Sequence, residues 1–314
     1  MTRLLVASTG GHLAELVLLA PRFSPPAHED LWVTFDSKQS RTLLRDRNVQ
    51  FVRDTPPRDW RSVLANTVTA RHILKSSNID TVVSNGAGVA LSFLPLARAH
   101  GIPAHYIECS ARTEGPSVTG RVLQSIPGMH LYTQHQELTN AKWDYAGSVF
   151  DSYEPASVPT PQALQKVLVT IGTLDFSFRR LLDRLKEILP RHVEVVVQAG
   201  PESTRIDWPG TRIEAMIAPD ELSSLMEQAD AVVTHAGIGS ALMAFEAGKS
   251  PILVPRRKGY GEHVDDHQTQ IAQQFGDRGL AVVADASMIE LGHFDEVLTR
   301  HVMRASEPRE FLLR

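Results

Sequence analysis

Short runs of β-branched and apolar residues alternate along the chain with longer segments in which apolar positions recur every three or four residues. This alternation is typical of parallel sheets whose strands are joined by crossover helices. In the first half it predicts strands at 4–8, 31–35, 49–53, 81–84, 105–109 and 129–133, and helices at about 12–19, 37–47, 60–75 and 89–100. In the second half it predicts strands at 166–171, 194–198, 212–216, 231–234, 251–254 and 280–283. Two doubly wound α/β domains in series fit this pattern better than one.

A proline-rich stretch lies between the two halves. Pro155, Pro159 and Pro161 fall within seven positions, where they exclude a helix and are expected to interrupt any strand pairing. The length of 314 residues also exceeds what one compact core usually holds. We therefore predict domains at 1–155 and 156–314.

The composition is that of a globular protein, with 42% apolar and 22% charged residues. The net charge of −4 provides no global field for nucleic acid, which we exclude as a partner. Residues 1–160 carry 15 basic and 14 acidic side chains and residues 161–314 carry 17 and 22, so the first half is better suited to an anionic surface. The single cysteine, Cys109, is typical of a reducing cytoplasm and is interpreted as a packed residue rather than a nucleophile. No apolar run is long enough to span a bilayer.

The strongest local motif follows the predicted strand 231–234. It begins at His235, continues through Gly237 and Gly239 to Ser240, and opens a predicted helix. Glycines allow a ligand to approach the backbone, and a helix N-terminus presents unpaired N–H groups to an anion. This pattern favours a diphosphate site in which the side chains of His235 and Ser240 add donors, although an ordinary strand-to-helix turn with a capping serine remains an alternative.

Two further polar loops follow strands of the same half. Ligands of open α/β sheets bind at the carboxyl ends of the strands, so these loops are expected to converge on one site. A nucleotide sugar needs such a set of hydrogen-bonding groups. The residues concerned are Gly172, Thr173, Arg256, His263, Asp266, His267 and Gln268. The histidines and aspartates 263–267 also suggest a metal site, but no glutamate base is interposed, and a helix start capped by Asp265 or Asp266 is simpler.

The first half has its own glycine turn after a strand, at Gly10 and Gly11, followed by His12 and Glu15. His12 is the predicted general base, with a helix-capping histidine as the alternative, and Glu15 is expected to orient His12 or to replace it. Polar loops after later strands are expected at the same sheet edge and contribute Asn85, Gly86, Glu108 and Arg112.

At these motifs the sequence resembles a known family. The C-terminal half, through 167–173, 235–240, 248–256 and 262–268, resembles the C-terminal domain of family 28 glycosyltransferases. It is most similar there to the catalytic subunit of the two-part enzyme that adds the second N-acetylglucosamine to dolichol diphosphate, and to bacterial capsule and exopolysaccharide counterparts. The N-terminal half, through 10–15, 83–86, 106–112, 117–120, Gln134 and 147–148, resembles the partner subunit. The chain thus resembles a fusion of two subunits.

This resemblance implies a GT-B fold, with two facing Rossmann-like domains that bind the acceptor in the first and the donor in the second. It implies an inverting, metal-independent transfer that needs no cofactor, from a nucleotide sugar, most simply a UDP-sugar, to a lipid-linked sugar such as a polyprenyl diphosphate sugar. Gly10, Gly11, Asn85, Gly86, Glu108 and Arg112 would then bind the acceptor. Peripheral contact with the inner face of the cytoplasmic membrane is expected, because the anchoring helix of the relatives is missing.

One position departs from the relatives. Many of them bind the ribose with a glutamate eight residues after the histidine, where this chain has Met243, and Glu246 is one helical turn further on. We therefore retain Glu246 as a candidate donor ligand. The rival functions are a UDP-sugar 2-epimerase of the same architecture and a non-catalytic nucleotide-sugar-binding protein. A dinucleotide oxidoreductase is disfavoured, because neither glycine turn has the GxGxxG spacing.

Overall fold

The structure is a computed structural model that describes residues 1–56, 59–157, 163–172, 176–264 and 266–314. The chain forms two compact units. Unit 1 comprises Met1–Ser152 together with Glu307–Arg314, and unit 2 comprises Tyr153–Ser306. The chain therefore passes between the units twice, after Ser152 and after Ser306.

Unit 1 is built on a parallel sheet with strand order β4-β3-β1-β5-β6-β7-β8. Its strands are β1 (Thr2–Ala7), β2 (Phe23–Ser24), β3 (Glu29–Phe35), β4 (Asn48–Val52), β5 (Thr81–Gly86), β6 (Ala104–Ile107), β7 (His130–Thr133) and β8 (Trp143–Tyr145). Its helices are α1 (Gly11–Leu19), α2 (Lys38–Leu43), α3 (Trp60–Ser76), α4 (Ala90–Ala99) and α5 (Val118–Leu123). The central strands β1 and β5 are buried along almost their whole length, as expected for a sheet covered on both faces.

Unit 2 contains a second parallel sheet, with strand order β12-β11-β10-β13-β14-β15. Its strands are β9 (Tyr153–Ser157), β10 (Lys166–Thr170), β11 (Glu194–Gln198), β12 (Arg212–Glu214), β13 (Ala231–His235), β14 (Ile252–Val254), β15 (Val282–Val283) and β16 (Arg300–Arg304). Its helices are α6 (Arg179–Ile188), α7 (Pro219–Gln228), α8 (Ile238–Glu246), α9 (His267–Asp277) and α10 (Leu291–Val297). The described residues of this unit pack in apolar clusters, one of which includes Val169, Val197 and Val233.

In each sheet the strand order reverses beside the first strand of the large sheet. In unit 1 the chain proceeds from β1 to β3 on one side and later to β5 on the other, and in unit 2 β11 and β13 flank β10 in the same way. Such a reversal opens a crevice at the carboxyl ends of the two strands, where α/β proteins bind ligands. The loops after β1, β5, β10 and β13 are therefore the candidate positions of a ligand site.

The proline-rich stretch differs from its prediction. Residues 153–157 form β9, which pairs antiparallel with β16, so Pro155 does not interrupt the pairing. Proline is tolerated in such a two-stranded ribbon because each strand has a free edge toward which the position without an N–H can turn. Pro159 and Pro161 lie outside the described residues.

The C-terminal residues were not predicted to join the first unit. Strand β17 (Phe311–Leu312) pairs with β2, and the Arg22 guanidinium donates to the carbonyl of Arg309 at 2.8 Å. Phe311 is fully buried, and its ring packs edge-on against Phe23 and Tyr132, both at 5.5 Å between centroids. The last residues thus complete the core of unit 1. Among the described residues, none of the helices has the length and hydropathy that a transmembrane span requires.

We expect Phe311→Ala to destabilise unit 1 by about 3–5 kcal/mol, because it removes a fully buried aromatic side chain and leaves a cavity. Leu312→Ala is the matched control. Because Leu312 is 58% exposed, its truncation should lower the free energy of unfolding only slightly. Urea denaturation of both variants measures the difference. Equal midpoints would contradict the contribution assigned to Phe311.

Candidate active site

The glycine turn after β1 is held open by a side chain from α2. Gly10, with φ of 84°, donates its N–H to Gln39 Oε1 at 2.6 Å and accepts from Gln39 Nε2 at 3.2 Å. Such a positive φ favours glycine. The space where a Cβ of Gly11 would stand contains no atom within 4 Å. The turn can therefore admit a ligand close to the backbone, and Gln39 was not predicted because it lies 29 residues further along the chain.

His12 is fixed by the loop that follows β5. Its Nδ1 lies 2.8 Å from the carbonyl oxygen of Asn85, and Asn85 Nδ2 donates to the His12 carbonyl at the same distance. A carbonyl only accepts, so Nδ1 carries a proton, and the tautomer that this contact favours has its lone pair on Nε2. Gly86 leaves room for the imidazole, since a Cβ there would lie 3.2 Å from the ring. His12 is thus oriented as a base requires.

Glu15 is occupied within the fold. Its carboxylate is fully buried and accepts from Cys109 Sγ at 3.2 Å, from Ser110 Oγ at 2.9 Å and from Gln134 Nε2 at 2.8 Å. Burial and the neighbouring Glu15 carboxylate raise the pKa of the Cys109 thiol well above its usual range, so the thiol remains a donor. This arrangement makes Glu15 a support for the loop after β6 rather than an accessible base beside His12.

The two candidate acceptor residues of that loop differ in exposure. Glu108 is 3% exposed and accepts from Tyr106 Oη at 3.2 Å and from the backbone N–H of Ser117 at 2.8 Å. Its carboxylate therefore shapes the loop from within. Arg112 is exposed and is available to an anionic ligand.

In unit 2, two residues separate the end of β13 from the beginning of helix α8. Gly237 occupies the N-cap position, and the first helical hydrogen bond runs from Ala241 N–H to the Gly237 carbonyl at 3.0 Å. The N–H groups of Ile238, Gly239 and Ser240 precede that bond and point away from the helix body. Gly239 is exposed, and no atom lies within 4 Å of the position its Cβ would take. This is the geometry of an anion site.

His235 lies between two glycines behind this helix start. A Cβ on Gly172 would lie 2.5 Å from the imidazole, and a Cβ on Gly237 would lie closer still. Burial, followed by the charge of Arg256, lowers the pKa of His235 to about 3, so the ring is neutral in the physiological range. Both glycines are needed to accommodate this buried ring. Thr173, the neighbour of Gly172, lies outside the described residues.

Arg256 is buried and binds backbone carbonyls of neighbouring loops. Its guanidinium is fully buried and donates to the carbonyls of Ile171 at 2.6 Å, Phe176 at 3.0 Å and Glu262 at 3.2 Å. Burial lowers the pKa of Arg256 to about 10, which leaves it charged at neutral pH. The sequence suggested Arg256 as a donor ligand, but the structure uses it to join the loop after β10 to the loop after β14.

The loop between β14 and α9 is held by further polar contacts. Arg180 forms ion pairs with Glu262 at 3.0 Å and with Asp285 at 2.7 Å. Asp266 stands at the N-cap of α9, and its carboxylate accepts from the Lys258 N–H at 2.9 Å. It makes no side-chain capping hydrogen bond to the helix, although such a cap was predicted. Gln268 is buried and accepts from the Arg256 N–H at 3.0 Å.

The histidines of this loop remain partly accessible. His263 packs against the Phe176 ring at 5.7 Å, and His267 begins α9 with its side chain half-buried. Asp265 lies outside the described residues. Within the ranges that the structure describes, no group of three His, Cys, Asp or Glu side chains is placed to hold a metal ion.

The candidate ribose ligand is engaged elsewhere. Glu246 is the last residue of α8, and its carboxylate accepts from the Tyr153 hydroxyl and pairs with Arg304 at 2.8 Å. The nine residues of α8 place its ends about 12 Å apart. Met243 packs against an apolar cluster that includes Leu168. Neither residue of the last turns of α8 therefore stands at the helix start.

Two buried histidines give the fold a predictable dependence on pH. Burial lowers the pKa of His105 in unit 1 to about 3, as it does for His235 in unit 2. The unfolded chain takes up these protons near pH 6.5, so it binds more protons than the folded state between pH 6.5 and 3. The free energy of unfolding is therefore expected to fall by about 2 kcal/mol per histidine between pH 6.5 and about pH 5. Urea denaturation at several pH values measures this slope.

A single substitution tests the contribution of unit 1. His105→Asn should reduce the loss of stability on acidification, whereas His28→Asn should not, because His28 is exposed. An unchanged slope in His105→Asn would contradict the assignment.

Comparison with known proteins identifies a matching domain and similar sequences. Residues 166–290 match the glycosyltransferase family 28 C-terminal domain. A protein of Rippkaea orientalis named UDP-N-acetylglucosamine–N-acetylmuramyl-(pentapeptide) pyrophosphoryl-undecaprenol N-acetylglucosamine transferase is 26% identical over 90% of this chain and 84% of its own length.

Solved structures extend the likeness to both units. The crystal structure of MurG from Acinetobacter baumannii has a TM-score of 0.57 at 19% identity and covers 94% of this chain and 89% of its own. The structure of UDP-N-acetylglucosamine 2-epimerase from Rickettsia bellii has a TM-score of 0.59 at 13% identity and covers 95% of this chain and 88% of its own. These structures confirm the predicted α/β fold with two Rossmann-like sheets of the GT-B type. The matched domain and the sequence relative confirm the predicted enzyme class, a hexosyltransferase.

Proposed function

We propose that the protein transfers a sugar from a UDP-sugar to a polyprenyl-diphosphate-linked sugar, with inversion at the sugar carbon and without a metal ion. The observation that carries this proposal is the tethered imidazole of His12, whose Nδ1–H is held by the Asn85 carbonyl at 2.8 Å. The relative from Rippkaea orientalis is named for a UDP-sugar donor and a pyrophosphoryl-undecaprenol acceptor, which supports these two substrate classes.

The proposed reaction is a single displacement. Nε2 of His12 takes the proton of the acceptor hydroxyl as the hydroxyl oxygen forms a bond to C1 of the donor sugar. The bond between C1 and the diphosphate oxygen breaks at the same time, and its electron pair leaves with UDP. Attack opposite the leaving group inverts the configuration at C1.

Helix α8 is proposed to stabilise the leaving diphosphate. The free N–H groups at Ile238, Gly239 and Ser240 and the Ser240 hydroxyl would donate to phosphate oxygens as their charge increases. The neutral imidazole of His235 adds no charge but supports the Gly237 turn from behind. Fixed backbone dipoles would then do what a divalent cation does in other transferases.

An assay of UDP release tests the proposal. Wild-type protein with UDP-N-acetylglucosamine and a short polyprenyl-diphosphate sugar should release UDP, and EDTA should leave the rate unchanged. Ser240→Ala should lower the rate. A rate that EDTA abolishes would contradict the metal-independent mechanism, and mass spectrometry of the product identifies the sugar transferred.

The same assay without lipid separates the rival functions. The likeness to the Rickettsia bellii epimerase makes a 2-epimerase the second candidate, and it predicts conversion of the UDP-sugar without an acceptor. Binding of the UDP-sugar with no turnover in either arm would indicate a non-catalytic nucleotide-sugar-binding protein. Either result would overturn the transferase proposal.

The two units are proposed to divide the substrates, with the acceptor bound after β1, β5 and β6 in unit 1 and the donor bound by unit 2. This division corresponds to the two subunits of the dolichol-diphosphate enzyme that the two halves of the sequence resemble. The family 28 domain match lies entirely in unit 2, which supports the assignment of the donor to that unit.

Helix α3 is the surface that we propose for contact with the inner face of the cytoplasmic membrane. Trp60, Leu64 and Val68 follow one another at helical spacing and are 54%, 68% and 74% exposed. Residues 60–76 include Arg71 and Lys75, both exposed, and contain no acidic residue. An apolar stripe with basic flanks suits a bilayer with anionic headgroups.

We expect Trp60→Ser, Leu64→Ser and Val68→Ser together to weaken binding to phosphatidylglycerol vesicles at least about tenfold, since each side chain contributes about 1 kcal/mol or more on burial. Met216→Ser with Met288→Ser is the control, because both methionines are exposed in unit 2. Vesicle co-sedimentation measures the effect. Equal binding of the two variants would exclude α3 as the membrane surface.

A further inference from the structure

The C-terminal end of α8 is bound by two side chains from different parts of the chain. The Tyr153 hydroxyl donates to Glu246 Oε1, and Arg304 pairs with the same oxygen at 2.8 Å. The Tyr153 ring also packs on Phe245 at 5.2 Å, and the Arg304 guanidinium lies 5.2 Å over the Tyr153 ring. Burial and the Glu246 carboxylate raise the pKa of Tyr153 well above its ordinary value, so its hydroxyl remains a donor.

The turn after α8 is held by the same strand that supplies Arg304. The Val302 N–H donates to the Gly248 carbonyl at 3.3 Å. Gly248, with φ of 74°, lies against the His301 ring, where a Cβ would come within 2.5 Å of it. The end of α8 therefore rests on β16 through its backbone as well as through Glu246.

Tyr153 and Arg304 are partners in the β9–β16 ribbon. They stand directly opposite each other in its register. Tyr153 follows the first point at which the chain passes between the units, and Arg304 precedes the second, after Ser306. One carboxylate thus holds both crossing segments to the end of a single helix.

We propose that Glu246 is a positioning residue that couples the donor-binding start of α8 to the two segments through which the chain passes between its units. The inference rests on the proposed function, in which the donor diphosphate binds at that start. A hydrogen-bonded helix moves as a rigid rod on this length scale of about 12 Å. A diphosphate that fixes the start of α8 would therefore also fix the ribbon, provided that Glu246 holds the other end.

This role differs from that of a ribose ligand, which Glu246 was first expected to be. A ribose ligand would read the 2′-hydroxyl itself, and its loss would weaken UDP but not 2′-deoxy-UDP. A positioning residue would leave the ratio of the two affinities unchanged. Tyr153→Phe would also reproduce the effect of Glu246→Gln, since it removes the hydroxyl that donates to the Glu246 carboxylate.

The experiment compares wild type, Glu246→Gln and Tyr153→Phe by calorimetric titration with UDP and 2′-deoxy-UDP, and by hydrogen exchange of 153–157 and 300–304 with and without UDP. Glu296→Gln is the matched control, because Glu296 forms an exposed ion pair with Arg300 of the same strand. We expect UDP to slow exchange in wild type and in the control but not in the two variants. Their UDP affinities should stay within about threefold of wild type, while kcat falls about tenfold with little change in donor KM.

Three outcomes would overturn the proposal. A selective loss of UDP over 2′-deoxy-UDP binding in Glu246→Gln alone would make Glu246 a ribose ligand. UDP that binds wild type without slowing exchange of the ribbon would remove the coupling while leaving the proposed function intact. UDP that does not bind wild type would refute the donor site, and this inference with it.

Discussion

Replacing His12 with alanine is expected to lower the rate of sugar transfer by about 10²–10⁴-fold, the usual contribution of a general base. The reason is geometric. The contact between His12 Nδ1–H and the Asn85 carbonyl selects the tautomer whose lone pair lies on Nε2. The KM for the UDP-sugar should change little, since the donor is proposed to bind unit 2. Initial rates of UDP release over a range of donor and acceptor concentrations separate these quantities.

His28→Ala is the control for this substitution. His28 is exposed and precedes β3, so it belongs to the amino ends of the strands, opposite the loops of the candidate site. It should retain the wild-type rate. A His12→Ala variant with a near-normal rate would refute His12 as the base and remove the main support for the transferase mechanism.

Replacing Gly237 with alanine is expected to lower both the stability of unit 2 and its affinity for the donor, although it adds only one methyl group. The new Cβ would overlap the His235 ring, and the ring has little room to move because it also packs closely against Gly172, where an added Cβ would lie 2.5 Å from it. Overpacking of this kind costs about 1–3 kcal/mol of stability. Displacement of the ring would also disturb the start of α8, so we expect donor affinity to fall at least about tenfold. Thermal unfolding and titration with UDP measure the two effects.

Gly239→Ala separates these two effects. Its Cβ meets no atom within 4 Å, and alanine stabilises a helix relative to glycine by up to about 1 kcal/mol. Stability should therefore be kept or gained, while donor affinity falls because the methyl group enters the open space in front of the N–H groups. Gly292→Ala in α10 should likewise keep or raise the stability but leave donor affinity unchanged. Full donor affinity in Gly239→Ala would place the diphosphate elsewhere.

Much of the fold follows from local pattern, because buried parallel strands are continuous apolar runs. Strand β11 has the predicted bounds, and β1, β5 and β13 differ by a few residues at their ends. The β9–β16 ribbon and β17 were not predicted. Their pairing joins positions up to 288 residues apart in sequence and depends on packing that no local propensity records.

The site was predictable to the extent that it depends on turns. The glycine turns after strands marked the place in each sheet where the strand order reverses. Glycine is required there because a ring or a ligand approaches the backbone. What the sequence did not distinguish is which polar residues face a ligand and which hold the loops. Glu15 was expected beside His12, and Glu108 and Arg256 were expected to bind the acceptor and the donor, yet each is buried and hydrogen-bonded within its own unit. Burial is a tertiary property, and composition alone cannot supply it.

The return of the last residues to unit 1 has a consequence for the order in which the protein is made. Unit 2 is continuous from Tyr153 to Ser306 and has all its strands once that segment has left the ribosome. Unit 1 starts earlier but lacks Phe311 until all of unit 2 has been synthesised, so its core stays incomplete while unit 2 can already fold. The half of the protein that is translated first is thus expected to be the last to fold.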